Sequence, residues 1–310
     1  ADRKIVVDMV DVSYVVTVYN KEPYIKDMVQ GLLRQKGDFS REFIFIDDGS
    51  SDGSKFLIES LLKGVENCRI ISQENKGPSI AFNLGLSLAK GKYIKALDGD
   101  DVLSLDATRF LLSAIKDSGC DFSFGRMGGA SVVESLDESN NELIVISDPL
   151  RNSLKRAVTT PSMWLATKDL VFRSGGCDER VFIQDYSIEL RMARLSPFAK
   201  INAVVFDAPK EAPGRLSDNE AQTLHDVNLA LAYFFDDFPN LHDDYKKIAL
   251  KRASGRAWKR DKRHLGTGYI SRCFVRYLMN RLCPHENISE ALFETCQVFS
   301  KSAAIRKVTL

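Results

Sequence analysis

The chain of 310 residues is long enough to bury a sizeable core, and its 44% hydrophobic and 27% charged residues are ordinary globular proportions, which argues against disorder. No apolar run approaches the roughly 18 uninterrupted residues of a membrane-spanning helix, so an integral helical membrane protein is excluded. The net charge of +1 conceals a bipolar chain: residues 246–310 carry 15 Lys and Arg against 4 Asp and Glu, and the rest is net −10.

The start, Ala1-Asp2-Arg3-Lys4 and then Ile5-Val6-Val7, is interrupted by Asp8 and Asp11 and lacks the apolar core of a secretory signal, so the expected location is cytoplasmic. From residue 12 to 125, β-branched and aromatic runs alternate with segments of helical period, the pattern of an α/β sheet with parallel crossovers. The spacing predicts strands over Val12–Val18, Glu42–Ile46, Arg69–Ser72, Tyr93–Leu97 and Phe122–Gly125. Helices are expected over Pro23–Leu33, Lys55–Leu62, Pro78–Ala89 and Leu105–Asp117. Residues 126–160 break the alternation with Gly128-Gly129, a polar run and a short strand candidate at Leu143–Ile146, read as an excursion over the sheet. Beyond Asp218 the pattern is helical, with stripes through Tyr269, Ile270, Cys273, Phe274, Tyr277, Leu278 and Leu282, and through Ile288, Leu292, Cys296 and Phe299. The six cysteines include no CxxC pair, which points to reduced, mostly buried thiols.

Ligands of open α/β sheets bind at the carboxyl ends of strands, and four such ends here carry polar chemistry. The first is Thr17-Val18-Tyr19-Asn20-Lys21-Glu22-Pro23, where Tyr19 could stack on a base. The second is the acidic turn Asp47-Asp48-Gly49-Ser50-Ser51-Asp52, part of which doubles as a helix cap. The third is Asn75-Lys76-Gly77-Pro78-Ser79 with Asn83 at a helix start, suited to an anionic or sugar-hydroxyl contact. The fourth is Leu97-Asp98-Gly99-Asp100-Asp101. Three carboxylates on one tight turn repel one another unless a cation neutralises them, most simply Mg²⁺ or Mn²⁺ held together with a diphosphate, although a lone Asp-Gly-Asp turn is also a common solvated cap.

In this order the runs VVTVYNKEPYI, FIFIDDGSSDGS, ENKGPSIAFNLGLSLAKGKYI and LDGDD resemble the family 2 glycosyltransferases over roughly residues 12–200. The resemblance implies an α/β fold of GT-A type, a Rossmann-like nucleotide-diphospho-sugar transferase with a mixed sheet flanked by helices. It implies an inverting transfer from a nucleotide sugar, with UDP favoured, to a hydroxyl of a glycan or lipid-linked acceptor in cell-surface polysaccharide or lipopolysaccharide biosynthesis. Thr17, Tyr19, Asn20, Glu22, Asp48, Lys76, Asn83 and Asp98 are then expected at the nucleotide, and Asp100 at a Mn²⁺ or Mg²⁺ ion between the phosphates. Asp101 stays open between coordination and structure.

The family's general base is an acidic residue at a helix start after a Gly-Gly-Phe-Asp segment. Here Gly175-Gly176-Cys177-Asp178 leads to Gln184-Asp185; glutamine replaces the first acid of the usual pair, and Asp185 is expected to be the base. Pro213-Gly214-Arg215-Leu216-Ser217 followed by His225 resembles a late segment that touches the diphosphate through Arg215 and Ser217 and completes the metal site through His225; a structural histidine is the other reading. Trp164 fits either an acceptor pocket or the core. Within the fold the alternative is a sugar nucleotidyltransferase, and from another class a catalytically silent sugar-nucleotide binder.

The expected division is a GT-A domain over 1–217, with a nucleotide half 1–104 and an acceptor half 105–217, followed by a basic helical extension over 218–310. In 246–263 the cations interleave with Ile248, Leu250, Ala253, Ala257 and Trp258, the pattern of an interfacial helix on an anionic leaflet and equally of a charged face docked on the protein's own acidic part. Nucleic acid is not an expected partner, since aromatic interleaving is sparse.

Overall fold

A computed structural model describes residues 10–129, 142–209, 219–264, 266, 271–282, 287–306 and 308. The expected boundary at 217/218, with Arg215 and Ser217, lies outside the described residues. By contacts the chain divides into two compact units: residues 1–147, 160–176 and 196–210 form one, and 148–159, 177–195 and 211–310 the other.

The first unit holds a nine-stranded mixed sheet. Four neighbouring strands run parallel, β3 (Cys68–Ser72), β2 (Arg41–Asp47), β1 (Val12–Val18) and β4 (Tyr93–Asp98), in that spatial order. The sheet continues through β8 (Trp164–Thr167), antiparallel to β4, then β6 (Phe122–Met127) and β9 (Phe198–Asp207), which also pair in parallel, with β5 (Val102–Leu103) and β7 (Leu143–Ile146) both antiparallel to β9. β1 is apolar nearly throughout because both of its faces are covered, as parallel strands under helices require. The helices of this unit are α1 (Glu22–Leu33), α2 (Ser54–Leu61), α3 (Pro78–Leu88), α4 (Ala107–Ser118) and α6 (Lys168–Ser174). Pro78 opens α3 directly after Gly77, which takes φ of 96°, and Gly119 in the left-handed region closes α4.

The five strands and four helices expected between 12 and 125 are all present within a few residues. The excursion expected over 126–160 is corrected in part. Leu143–Ile146 is a strand, but it pairs with β9 and leaves Leu143, Ile144 and Val145 exposed, so it extends the sheet rather than covering it; residues 130–141 lie outside the described residues. Trp164 is core: it is 2% exposed, and its ring stacks on Phe122 and meets Phe82 edge-on.

The described elements of the second unit are helical: α5 (Pro149–Lys155), α7 (Gln184–Ala193), α8 (Glu220–Asp237), α9 (Asp243–His264), α10 (Arg272–Leu282) and α11 (Ile288–Ser302). Ile288, Leu292, Cys296 and Phe299 are buried, as the second stripe required. Of the first stripe, Tyr269 and Ile270 lie outside the described residues; Phe274 and Tyr277 pack on Trp258, while Leu278 is exposed.

Candidate active site

In the sheet unit, register brings the polar strand ends to one edge. Thr17 pairs with Ile46 on one side and Asp98 on the other, and Val18 pairs with Asp47. The acidic turn folds over the end of β1 through Gly99, whose N–H donates to Thr17 O at 3.0 Å. A side chain at 99 would meet Val18 Cγ2 at 2.9 Å and Thr17 O at 3.0 Å, so only glycine lets Asp98 and Asp100 sit this close to the first loop.

The first and second loops are laced together. Asn20, at φ of 50°, donates from its N–H to Ser50 Oγ (3.0 Å) and accepts at Oδ1 from Ser51 N–H (2.8 Å). Lys21 N–H donates to Ser54 Oγ, Glu22 N–H to Asp52 Oδ2, and Gly53 N–H to Glu22 Oε2. Asn20 and Glu22, expected at the nucleotide, therefore also set the shape of the edge that would receive it.

Asp48 is 3% exposed and ties the second loop to the third. It accepts from Gln73 Nε2 (2.7 Å), Lys76 N–H (2.9 Å) and Gly77 N–H (2.9 Å), fixing the entry to α3. An ionised carboxylate offers about four lone-pair positions, so a further donor from a base can still be accommodated. Tyr19 is 42% exposed, Lys76 is exposed, and Thr17, Asn83 and Asp98 are half-buried.

Beneath the acidic turn lies a residue that motif reading passed over. Lys95 is fully buried; its Nζ donates to Ala96 O and Ser162 O, both at 2.8 Å. Burial lowers its pKa to about 7, against the pull of Asp101 and Asp98, which favour the charged form. Ser162 braces the turn as well, its Oγ accepting from Asp98 N–H at 3.1 Å. The signal was present, since a lysine interrupts an otherwise apolar buried strand three residues before three acids.

Asp100 and Asp101 are 7% and 6% exposed, and Lys21 Nζ lies 2.6 Å from Asp100 Oδ2. Among the described residues no group of three or more His, Cys, Asp or Glu is arranged to hold a metal ion. The donor set at the turn is nonetheless hard carboxylate oxygen, and Asp100 already carries a cationic partner. That fits Mg²⁺ or Mn²⁺ held by one or two carboxylates with the remaining ligands from phosphate, and does not fit an all-protein cage.

In the helical unit, Asp185 stands in the first turn of α7, half-buried, with Oδ1 accepting from Tyr186 N–H at 2.9 Å. Burial raises its pKa to about 6; the Tyr186 N–H opposes the rise and the charge of Asp226 adds to it. Asp226, on α8, accepts from Gln222 Nε2 and from Ile183 N–H, the residue just before α7, so it anchors the turn that presents Asp185. His225 is buried, with Nδ1 2.8 Å from Asp226 Oδ1. Asp178 of the Gly-Gly-Cys-Asp run takes Arg180 and Arg191, which both reach Asp237 too. Glu189 accepts from Val158 N–H, Thr159 N–H and Thr159 Oγ1, pinning that segment to α7; burial raises its pKa to about 7.

On α9 the apolar residues face inward: Leu250, Ala253 and Ala257 are fully buried, and Trp258 stacks on Tyr277. The apolar residues interleaved with the cations of 246–263 are thus packed within the helical unit, while Lys247, Lys251, Arg252, Lys259, Lys262 and Arg263 stay exposed. Arg260 reaches Ser302 and Glu220, and Arg256 donates to Asn228, so part of the basic face is docked within its own unit.

A mixed sheet whose parallel strands end in acidic turns at their carboxyl edge, flanked by helices, is an α/β fold of GT-A type. Residues 13–171 match the model of glycosyl transferase family 2, and the chain belongs to that family of glycosyltransferases. The chain is 25% identical over 267 residues to glycosyltransferase GlyG of Streptococcus pneumoniae, a match covering 85% of this chain and 81% of GlyG. It is 38% identical over 114 residues to the minor teichoic acid biosynthesis protein GgaA of Bacillus subtilis, but that match covers 35% of this chain and a quarter of GgaA. Among solved structures it is similar to residues 1–349 of S. aureus TarS in complex with UDP-GlcNAc, with a TM-score of 0.67, 16% identity, and coverage of 94% and 91% of the two chains, a likeness of fold.

Proposed function

We propose that this glycosyltransferase is metal-dependent and inverting, and moves a sugar from a nucleoside-diphosphate donor, UDP favoured, to a hydroxyl of a glycan or lipid-linked acceptor in cell-surface polysaccharide synthesis. The observation that carries the reading is the convergence of Thr17, Tyr19, Asp48, Asp98 and Asp100 at one sheet edge, with Asp100 buried beside a cation. Tyr19 stacks on the base, and Asp48 and Asp98 accept from base and sugar hydroxyls. Lys76 and Asn83 line the same edge, and Arg215 and Ser217 are assigned to the diphosphate. Asp100 would hold a divalent ion, which when bound would supply charge neutralisation for the departing diphosphate; His225 is the other residue assigned as a ligand by the resemblance.

Asp185 takes the proton of the acceptor hydroxyl while the new bond forms at the anomeric carbon. The bond from that carbon to the phosphate oxygen breaks with its electron pair leaving on the nucleoside diphosphate. A carboxylate whose pKa is raised to about 6 suits this role, being ionised at neutral pH yet basic enough to accept a proton. Relatives named for teichoic acid synthesis and a fold neighbour seen with UDP-GlcNAc support the acceptor and donor classes.

No helix among the described residues is long and apolar enough to cross a membrane. We place the enzyme in the cytoplasm, its exposed cations Lys247, Lys251, Arg252, Lys259, Lys262 and Arg263 meeting an anionic leaflet; sedimentation with anionic liposomes that fails even at low salt would rule this contact out. The donor class is tested by a thermal-shift panel of UDP, GDP, dTDP and CMP, each with and without Mn²⁺. A manganese-dependent response to one diphosphate is expected, and silence throughout would contradict the reading.

A further inference from the structure

Lys21 lies in the first loop with no role assigned to it, yet its side chain contacts the acidic turn directly. The ammonium lies 2.6 Å from Asp100 Oδ2, across 79 residues of sequence, with the lysine side chain 22% and the aspartate side chain 9% exposed. A pair this shielded differs from a surface ion pair, whose partners drift in water. Both backbones are fixed. Lys21 is flanked by Asn20 and Glu22, and all three donate their N–H groups to side chains of the second loop. On the other side the turn is closed by Asp101 N–H to Asp98 O and by Gly99 N–H to Thr17 O.

The charges explain why a lysine is aimed here. Three carboxylates fall within four residues, and the ammonium groups of Lys21 and Lys95 are among those that oppose them. Lys95 is sealed in the core with both of its hydrogen-bond acceptors on the backbone, whereas the Lys21 side chain is partly exposed to solvent. A Mg²⁺ or Mn²⁺ ion must approach a carboxylate oxygen to about 2.0–2.2 Å. With the ammonium on the same oxygen, two cations would stand within about 5 Å of each other in a poorly hydrated site, where their repulsion is strong.

From this exclusion we infer that Lys21 is a built-in counter-cation: it holds Asp100 while the donor is absent, and a divalent ion can use Asp100 only when the ammonium leaves. Lys21 is thus a positioning residue that restrains metal binding before the diphosphate arrives. The inference rests on the proposed metal role of Asp100.

The test is Mn²⁺ affinity of the full chain without nucleotide, read by calorimetry or by the electron paramagnetic resonance of free Mn²⁺. Lys21→Met and Lys21→Gln are expected to bind Mn²⁺ about tenfold more tightly than the wild type, the factor matching the low end of what one charged hydrogen bond contributes. Lys21→Arg is expected to stay near the wild type, and Asp100→Asn placed on Lys21→Met to abolish the gain. Loss of a merely structural contact would not tighten metal binding. Equal or weaker Mn²⁺ binding by both Lys21 variants, with wild-type melting temperatures, overturns the inference and leaves the metal role of Asp100 standing. No Mn²⁺ binding by any variant, alone or with UDP, overturns both.

Discussion

In the sheet unit Glu42 and Asp52 lie below the usual carboxylate range: burial would raise them, but hydrogen bonds from Ser13, Lys90 N–H and Arg69 to Glu42, and from Ser54 and Glu22 N–H to Asp52, outweigh it. In the helical unit Asp185 and Glu189 stand above that range, at about 6 and about 7, because burial wins. The difference separates two uses of an acid. A carboxylate that locks loops is surrounded by donors and stays charged, whereas one that must exchange a proton is buried with few donors. Asp185, with the backbone N–H groups of Tyr186 and its own residue as donors and Asp226 for a neighbour, has the surroundings of the second kind, as its proposed role requires. Glu189 shows that a raised pKa alone does not make a base, since its oxygens are spent on Val158 and Thr159.

The contrast can be broken most directly at Asp185. Asp185→Asn is expected to cut transfer by about 10²–10⁴-fold in initial-rate assays, with the melting temperature close to wild type. In the wild type, transfer should follow ionisation of Asp185, reaching half its plateau near pH 6 and falling about tenfold per unit below it; a flat profile from pH 5 to 7 would remove Asp185 from the role.

Glu189 sharpens the same contrast through stability. Its pKa is raised on folding from 4.5 to about 7, so the folded state holds the proton more tightly, and its contribution is present below pH 4.5 and lost as the pH rises through 7. Glu189→Gln should lack that slope in denaturant titrations. Glu189→Ala should cost about 1–3 kcal/mol by leaving buried N–H groups of 158 and 159 unpaired.

The smallest effects compare helix packing. A Cβ at Gly85 of α3 would come within 2.5 Å of Val15 Cγ1 on the sheet, so Gly85→Ala should cost about 1–3 kcal/mol. At Gly255 of α9 the nearest atom would be Tyr277 Cε2 at 3.6 Å, and Gly255→Ala should add about 0.4–1 kcal/mol.

The two units were also unequally legible. β1, β2 and β4 are covered on both faces, so they write themselves as largely apolar runs ending in polar turns, and both the order of the loops and the meeting of Asp48 with Asp98 at one edge could be read from sequence. β8 and β9 were missed because their pairing depends on long-range partners rather than on a local pattern. Lys95 and Ser162 escaped notice because no motif contains them, although a lysine inside a buried strand was a usable signal. Asp226 and Glu189 lie within helices, where an acid reads as a solvated face until tertiary structure buries it. The cations of α9 read as an amphipathic surface helix, and the structure turned the apolar side inward.

The central claim is a division of labour, with Asp100 serving the donor and Asp185 the acceptor. It is tested most directly by titrating UDP in the presence of Mn²⁺ into the wild type, Asp100→Ala and Asp185→Asn, following heat. The expected result is that Asp185→Asn binds UDP as the wild type does while Asp100→Ala loses the manganese-dependent part; equal loss of affinity in the two variants would contradict the account.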